Sequence, residues 1–262
     1  MKIEELINKH YNQLHDNDLH ILKYILNNKS SCYELGINSL AEKCNVSRSS
    51  ILRLAQKLGF SGYSEFRVFL KWQDQKDPNI HKSGVEILRN DILETLKYVK
   101  NTDFSEICRL IYHTEKIFVY GTGTAQLNCA FDLQRMFLPV QKYFHVIQSQ
   151  TEFEMIIKDL TLNDLIIIIS FSGDTPSIFP AVQSLVAKGI PFISVTNLKN
   201  NRLARMTPYN LYAYSSCNEL KDGTKLNTFS SFFIVGEMLF HHYVDFMKQK
   251  ESDQNDEQGS IH

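Results

Sequence analysis

No stretch of this 262-residue chain approaches the roughly 18 apolar residues that a membrane-spanning helix needs. The opening MKIEELINKH has neither the apolar core of a secretory signal nor the composition of a transit peptide, so a cytoplasmic protein without membrane contact is expected. Cysteine pairing is missing as well. The five cysteines (Cys32, Cys44, Cys108, Cys129 and Cys217) are scattered, odd in number and without CxxC spacing, which argues against a disulfide framework and against a zinc site. Net charge is close to zero, 28 basic against 29 acidic residues. With 43% hydrophobic and 22% charged residues the chain is an ordinary globular one, long enough for two modest domains or for one α/β domain with an appendage.

The charge is unevenly spread. From Lys43 to Lys71 six basic residues (Lys43, Arg48, Arg53, Lys57, Arg67, Lys71) stand against Glu65 alone, a local balance of +5. Such a patch suits phosphate contacts, and acidic surface elsewhere would confine binding to one face. The same stretch, LAEKCNVSRSSILRLAQKLGFSGYSEF (Leu40–Phe66), reads as two short helices and a tight turn. Ser39 is placed to cap a helix through Cys44, Asn45-Val46 to turn, and Ser47 to cap a second helix that Gly59 ends. At 100° per residue, Ile51, Leu54, Ala55 and Leu58 share one arc of that helix; Ser49, Arg53 and Gln56 lie opposite, with Lys57 beside them. A buried back and a cationic, hydrogen-bonding front are the attributes of a helix-turn-helix that reads the major groove, although a surface helix pair in an all-α domain has the same pattern.

Helical signals fill residues 1–72, with a stripe at Leu19, Leu22, Ile25 and Leu26 before the Asn27–Ser30 break. QDQKDPNIHK (Gln73–Lys82) is polar and aperiodic and reads as a linker. A helix over Gly84–Val99 then carries Val85, Leu88, Ile92, Leu96 and Val99, and either docks on the next domain or pairs with a copy of itself. Beyond it the period changes. Ile117–Tyr120, Phe144–Ile147, Leu165–Ser170, Phe192–Thr196 and Leu211–Ala213 are short apolar runs separated by helical stretches, and LIIII (165–169) is apolar on both faces. Alternating strands and helices predict an α/β fold, a doubly wound parallel sheet of about five strands, behind the all-helical N-terminal domain. The expected boundaries are 1–76, a linker and connecting helix over 77–100, the α/β domain over 101–247, and a disordered polar tail over 248–262. A last long helix is expected over Asn227–Phe246.

Doubly wound sheets place ligands beyond the carboxyl ends of their strands. There the chain has ISFSGDTP (169–176), with three hydroxyls, a glycine and a proline suited to open a helix. Ser170, Ser172, Thr175, backbone N–H groups and a positive helix end would converge on a phosphate monoester. An ordinary capped turn would need one hydroxyl rather than three. The earlier loop, Tyr120–Ala125 (YGTGTA), has GxG but Gln126 where a dinucleotide fingerprint has its third glycine, and no Walker lysine is present. No nucleotide cofactor and no metal is expected; a small phosphorylated ligand bound by hydroxyls is.

Together, LAEKCNVSRSSILRLAQKLGFSGYSEF, YGTGTA and ISFSGDTP resemble the RpiR family of bacterial transcription regulators over nearly the whole chain. SRSSILRLAQKLGFSGYSEFRVFLKW and IPFISVTNLKNN carry the likeness further, to regulators of maltose and α-glucoside utilisation. The resemblance implies a helix-turn-helix joined to a sugar isomerase (SIS) domain, a homodimer or tetramer on double-stranded operator DNA, and a sugar-phosphate effector such as maltose 6′-phosphate. It implies that Ser170, Ser172 and Thr175 hold the phosphate while Thr122 faces the sugar. Ala125 stands where the family usually has serine, so either Thr124 substitutes or that contact is lost; the family's Ser-Arg pair is absent from 223–233. Thr122, Thr124, Ser170, Ser172, Thr175 and Glu219 are the candidate effector residues. On the DNA side, Arg48, Ser49, Ser50 and Arg53 are candidates for base or backbone contact, Lys43, Lys57 and Lys71 for phosphates, and Ser47 for both contact and cap. The alternative is an aldose–ketose isomerase, which would need a base; Glu219, in an expected loop, and His241 or His242 are the residues available.

Overall fold

A computed structural model describes residues 3–73, 83–219 and 225–259. The chain divides into two compact units, Met1–His81 and Lys82–His262. Most of the expected linker, residues 74–82, lies outside the described residues.

The first unit is helical: α1 (Ile3–His10), α2 (Asp16–Asn27), α3 (Lys29–Cys32), α4 (Ile37–Lys43), α5 (Arg48–Lys57) and α6 (Tyr63–Gln73). Its core gathers Ile3 and Ile7, Ile21 and Ile25, Leu40, Ile51 and Leu54, and Phe66, each worth about 1.5–3 kcal/mol of burial. Burial also pushes the Cys32 thiol up to about 11 and the Tyr63 phenol up to about 12; Tyr63 Oη donates to the Leu35 carbonyl at 2.8 Å. The helix expected to start behind Ser39 starts a turn earlier, with Gly36 as its cap, because the Leu40 N–H bonds to the Gly36 carbonyl (3.0 Å) and draws Leu40 inward.

The second unit runs α7 (Gly84–Lys100), α8 (Ser105–His113), β1 (Ile117–Gly121), α9 (Thr124–Phe137), β2 (Phe144–Ile147), α10 (Gln150–Asp159), β3 (Leu165–Ser170), α11 (Phe179–Lys188), β4 (Phe192–Asn197), β5 (Tyr209–Ala213), β6 (Cys217–Glu219), β7 (Lys225–Asn227) and α12 (Ser230–Gly259). The first five strands form one parallel sheet in the order β2-β1-β3-β4-β5. β3 alternates between two cores. Leu165, Ile167 and Ile169 face one cluster with residues of α8, α9 and α12, while Ile166 and Ile168 face another with residues of α10 and α11. This is the two-sided burial that the LIIII run predicts.

Three features go beyond the sequence expectations. Where the polar tail is expected to begin, α12 continues among the described residues to Gly259, since a helix already anchored by packing elongates without a new nucleation cost, helped by Lys248 Nζ 3.8 Å from Asp245 and by Ser252 Oγ donating to the Lys248 carbonyl. The connecting helix, expected either to dock on the next domain or to pair with a copy of itself, is the first element of the second unit, packed on α12 and β5. It buries Asp91, Thr95 and Val99, leaving Val85 77% and Leu96 41% exposed, because hydrogen bonds to the segment after β5 select a different face from the aliphatic stripe. β6 and β7 form an antiparallel pair that sequence reading missed; the Asp222-Gly223 dipeptide between them is a hairpin signal that could have found it.

Gly121 ends β1 against the start of α9, where a Cβ would stand 2.4 Å from the Leu127 nitrogen and 2.5 Å from the Gln126 carbonyl carbon. Backbone cannot step aside as a side chain would. Gly121→Ala is therefore expected to cost about 3 kcal/mol, the upper end of the overpacking range, in urea unfolding.

Candidate functional site

In the first unit, α4 and α5 are joined by a turn whose backbone is fully accounted for. Asn45 takes a left-handed conformation (φ 51°), the Val46 N–H bonds to the Ala41 carbonyl at 2.9 Å and the Asn45 N–H to that of Glu42 at 3.0 Å. Ser47 then caps α5, its Oγ accepting the Ser50 N–H at 3.2 Å. The same Oγ lies 2.7 Å from the Ser49 hydroxyl and 3.0 Å from that of Ser50. α5 ends where the Phe60 N–H bonds to the Ala55 carbonyl and the Gly59 N–H to that of Gln56. Ile51, Leu54, Ala55 and Leu58 are buried, while Arg48, Ser49, Arg53 and Gln56 are exposed and Ser50 is half-buried. Lys43 and Lys71 are exposed at the ends of α4 and α6.

Lys57 differs from its neighbours. Its Nζ donates to Asp18 Oδ2 at 2.5 Å, and the Asp18 side chain, 7% exposed, also accepts the His15 N–H at the start of α2. The lysine expected on DNA phosphates is thus engaged in tying α5 to α2. His20 makes a second tie, its Nε2 3.1 Å from the Cys44 carbonyl.

In the second unit the strand order reverses between β1 and β3, which opens a crevice beyond their carboxyl ends. Both predicted loops lie there. The register Gly121↔Ile169 sets Thr122 beside Ser170, and the Thr122 N–H donates to the Ile169 carbonyl at 3.0 Å. Thr122 is half-buried and Thr124, the first residue of α9, is exposed.

Ser170 is fully buried; its Oγ accepts the Gly173 N–H at 3.2 Å and sits 3.3 Å from Thr175 Oγ1. Ser172 Oγ accepts the Asp174 N–H at 3.1 Å. Thr175 precedes a 3-10 turn, Pro176–Ile178, that leads into α11, yet its side chain makes no capping bond. The proline thus opens this tighter turn rather than the α-helix itself.

Sequence reading missed the residues that clamp this loop. Gly173 has φ 64°, and a Cβ there would lie 2.1 Å from Asn201 Oδ1. Buried Asn201 donates to Thr196 Oγ1 (3.0 Å) and accepts the Ala204 N–H (2.8 Å), while the Gly173 carbonyl accepts the Leu203 N–H at 2.9 Å. Asp174 accepts the Arg202 N–H at 2.8 Å and stands 3.6 Å from Lys199 Nζ. The turn-forming composition of Asn197–Arg202 marks a loop, but nothing local says what it clamps.

Glu219 is not in a loop. It lies on β6 of the separate two-stranded sheet, and its side chain is outside the described residues. The His242 ring stacks on Phe104 with centroids 4.3 Å apart, and His241 is exposed. A cleft of about 700 Å³ opens at the opposite end of the sheet, where Glu106, Arg109, His113 and Lys116 meet Asp159 and Asp164. It has mixed charge and contains none of the predicted residues.

A helix-turn-helix unit followed by a doubly wound α/β unit defines the class of this protein. A profile of the helix-turn-helix domain of the rpiR family matches residues 1–77, and one of the SIS domain matches residues 110–242. The chain is 56% identical over 256 residues to the HTH-type transcriptional regulator GlvR of Bacillus subtilis, covering 98% of this chain and 99% of that protein. It is 22% identical over 208 residues to the regulator RpiR of Escherichia coli K12, covering 74% and 70%. Vibrio vulnificus NanR complexed with ManNAc-6P has a like fold, with TM-score 0.55, 21% identity and 98% of each chain covered. The sugar isomerase domain of an RpiR transcription factor from Sphaerobacter thermophilus aligns with TM-score 0.51 and 15% identity, covering 64% of this chain and 97% of that one. The chain belongs to the RpiR family: it is a helix-turn-helix transcriptional regulator with a SIS domain.

Lys57→Ala is expected to cost about 1–3 kcal/mol in urea unfolding by leaving a buried carboxylate underpaired, whereas Lys43→Ala, at an exposed site, should stay within about 0.5 kcal/mol of wild type.

Proposed function

We propose that this regulator acts in the cytoplasm on maltose or α-glucoside utilisation genes and is controlled by a sugar phosphate, maltose 6′-phosphate or a related phosphosugar, bound at the β1 and β3 loops. The observation that carries the reading is the hydroxyl cluster itself. Ser170, Ser172 and Thr175 share the loop at the reversal of strand order, and Thr175 meets Ser170 Oγ at 3.3 Å instead of capping the helix that follows, which a capped turn does not require. Each hydroxyl that accepts a loop N–H still has a proton to donate to a phosphate oxygen. Thr122 and Thr124 stand on the sugar side, and no cofactor takes part. The 56% identity to GlvR and the sugar phosphate in the NanR structure of like fold support the same reading.

On DNA, Arg48, Ser49, Ser50 and Arg53 face the bases or nearby backbone, Lys43 and Lys71 take phosphates, and Ser47 orders the helix start. A homodimer, or a tetramer of such dimers, sets two α5 helices in major-groove segments about one helical turn or a multiple apart.

Thermal unfolding against maltose 6′-phosphate, glucose 6-phosphate, N-acetylglucosamine 6-phosphate and maltose tests the sensor. A phosphosugar at one hundred times its dissociation constant stabilises by about 2.7 kcal/mol; the shift should be absent with maltose and lost in Ser172→Ala. No shift with any phosphosugar would reduce the loop to a structural turn. For DNA, Arg53→Ala should weaken operator binding by about 1–3 kcal/mol in a mobility-shift titration; wild-type affinity would remove Arg53 from the reading set.

A further inference from the structure

The segment between β5 and β6 is hydrogen-bonded on both sides, and the two sides lead to different places. On one side stands Asn197, the last residue of β4. Its main-chain N–H donates to the carbonyl of Phe171, the residue between Ser170 and Ser172, at 3.1 Å. Its side chain then makes two bonds to one residue: Oδ1 accepts the Ser215 N–H at 2.9 Å and Nδ2 donates to the Ser215 carbonyl at 3.0 Å. On the other side stands α7. Asp91, 0% exposed, accepts the Ser216 N–H at 2.9 Å on one carboxylate oxygen and the Ser216 hydroxyl at 2.6 Å on the other. One turn further, Thr95 Oγ1 accepts the Tyr214 N–H at 3.0 Å and donates to the Asp91 carbonyl at 2.7 Å.

A buried carboxylate cannot drift from its donors without a large desolvation penalty, so 214–216 and α7 must shift as one piece. The phosphate loop carries its own internal bonds. Its Gly173 and Asp174 N–H groups donate to the Ser170 and Ser172 hydroxyls, so a phosphate that takes those hydroxyls' protons pulls on the same two bonds. Phe171 lies between the two serines and carries the carbonyl that Asn197 holds. α7 is in turn the first helix of the second unit, which begins at Lys82, so the chain coming from the helix-turn-helix unit enters through it.

From these hydrogen bonds, joined through the Ser215–Ser216 backbone, we propose that Asn197, Ser215, Ser216 and Asp91 form a relay that passes occupancy of the phosphate loop to α7. The inference rests on the reading that the loop binds a sugar phosphate, and it names how that site is coupled to the DNA-binding half. Such coupling requires two arrangements of the relay for which the ligand has different affinities, and it is reciprocal. In this relay Asn197 and Asp91 are positioning residues.

Hydrogen–deuterium exchange on the full-length protein tests the relay without any ligand. Asn197→Ala should speed exchange of the 91–99 amides of α7, which it does not touch, by roughly fivefold, the effect of losing one ordinary hydrogen bond. Reciprocally, Ser216→Ala and Asp91→Asn should speed exchange of the 171–175 amides. Ile157→Val, in the core on the opposite face of the sheet, controls for general loss of stability and should move neither set. Should Asp91→Asn fail to fold, Ser216→Ala still decides. Wild-type exchange of α7 in Asn197→Ala, together with wild-type exchange of the loop in Ser216→Ala, overturns the relay. In a second arm, saturating maltose 6′-phosphate should alter exchange of both segments in wild type but only of 171–175 in Ser216→Ala. If it alters neither in wild type, the choice of effector fails, while the ligand-free arm continues to judge the relay.

Discussion

The two hydroxyl-bearing loops are placed around β3, which is held by burial on both faces. Alternate residues of one short strand satisfy two separate cores, so the strand can neither slide by one residue nor tilt without exposing isoleucine to water or driving it into the wrong core. Its last residue, Ser170, is fully buried yet polar, so its hydroxyl must find partners and finds them in the loop that follows. The loop is thereby fixed at its base, and the Leu203 and Arg202 N–H groups hold it further along at Gly173 and Asp174. Tight contacts of Gly121 with α9 and of Gly173 with Asn201 fix the flanking backbone in the same way.

The helix-turn-helix unit reaches comparable definition by other means. Its turn is closed by backbone hydrogen bonds around Asn45, its second helix is capped by Ser47, and Lys57 and His20 tie the motif to α2. The front of α5 is left with Arg48, Ser49, Arg53 and Gln56 in solvent. Polar groups at the ends of α5 are spent on holding it, and those along its middle are not. This division suits a helix whose exposed face must meet another polar surface with its backbone already ordered.

The second unit places chemistry and connection at different points. Hydroxyls gather where the strand order reverses, whereas α7 lies against α12 and β5 and is hydrogen-bonded toward the loops through 214–216. Asp91 makes that arrangement discrete, because a buried carboxylate with two donors from one residue has a single satisfactory position.

Much of this was legible in the residues alone. The five strands of the sheet fall within two residues of the apolar runs, since a parallel strand buried on both faces needs a continuous apolar segment and little else in the chain supplies one. The turn at Asn45, the cap at Ser47 and the buried arc of α5 followed from local backbone chemistry and helical period, which act within a few residues. The two hydroxyl loops were legible for the same reason. What failed were inferences about partners distant in sequence. Lys57 read as a phosphate contact, and nothing near it in sequence announced its ion pair with Asp18 on another helix. The aliphatic stripe of α7 read as its buried face until Ser216 and Tyr214, more than a hundred residues away, turned Asp91 and Thr95 inward. Sequence determines the elements, their caps and the hydroxyls of the loops because these depend on neighbouring residues. Only the tertiary structure decides which polar group meets which, because a buried charge or amide is satisfied by whatever the folded chain brings within about 3 Å of it.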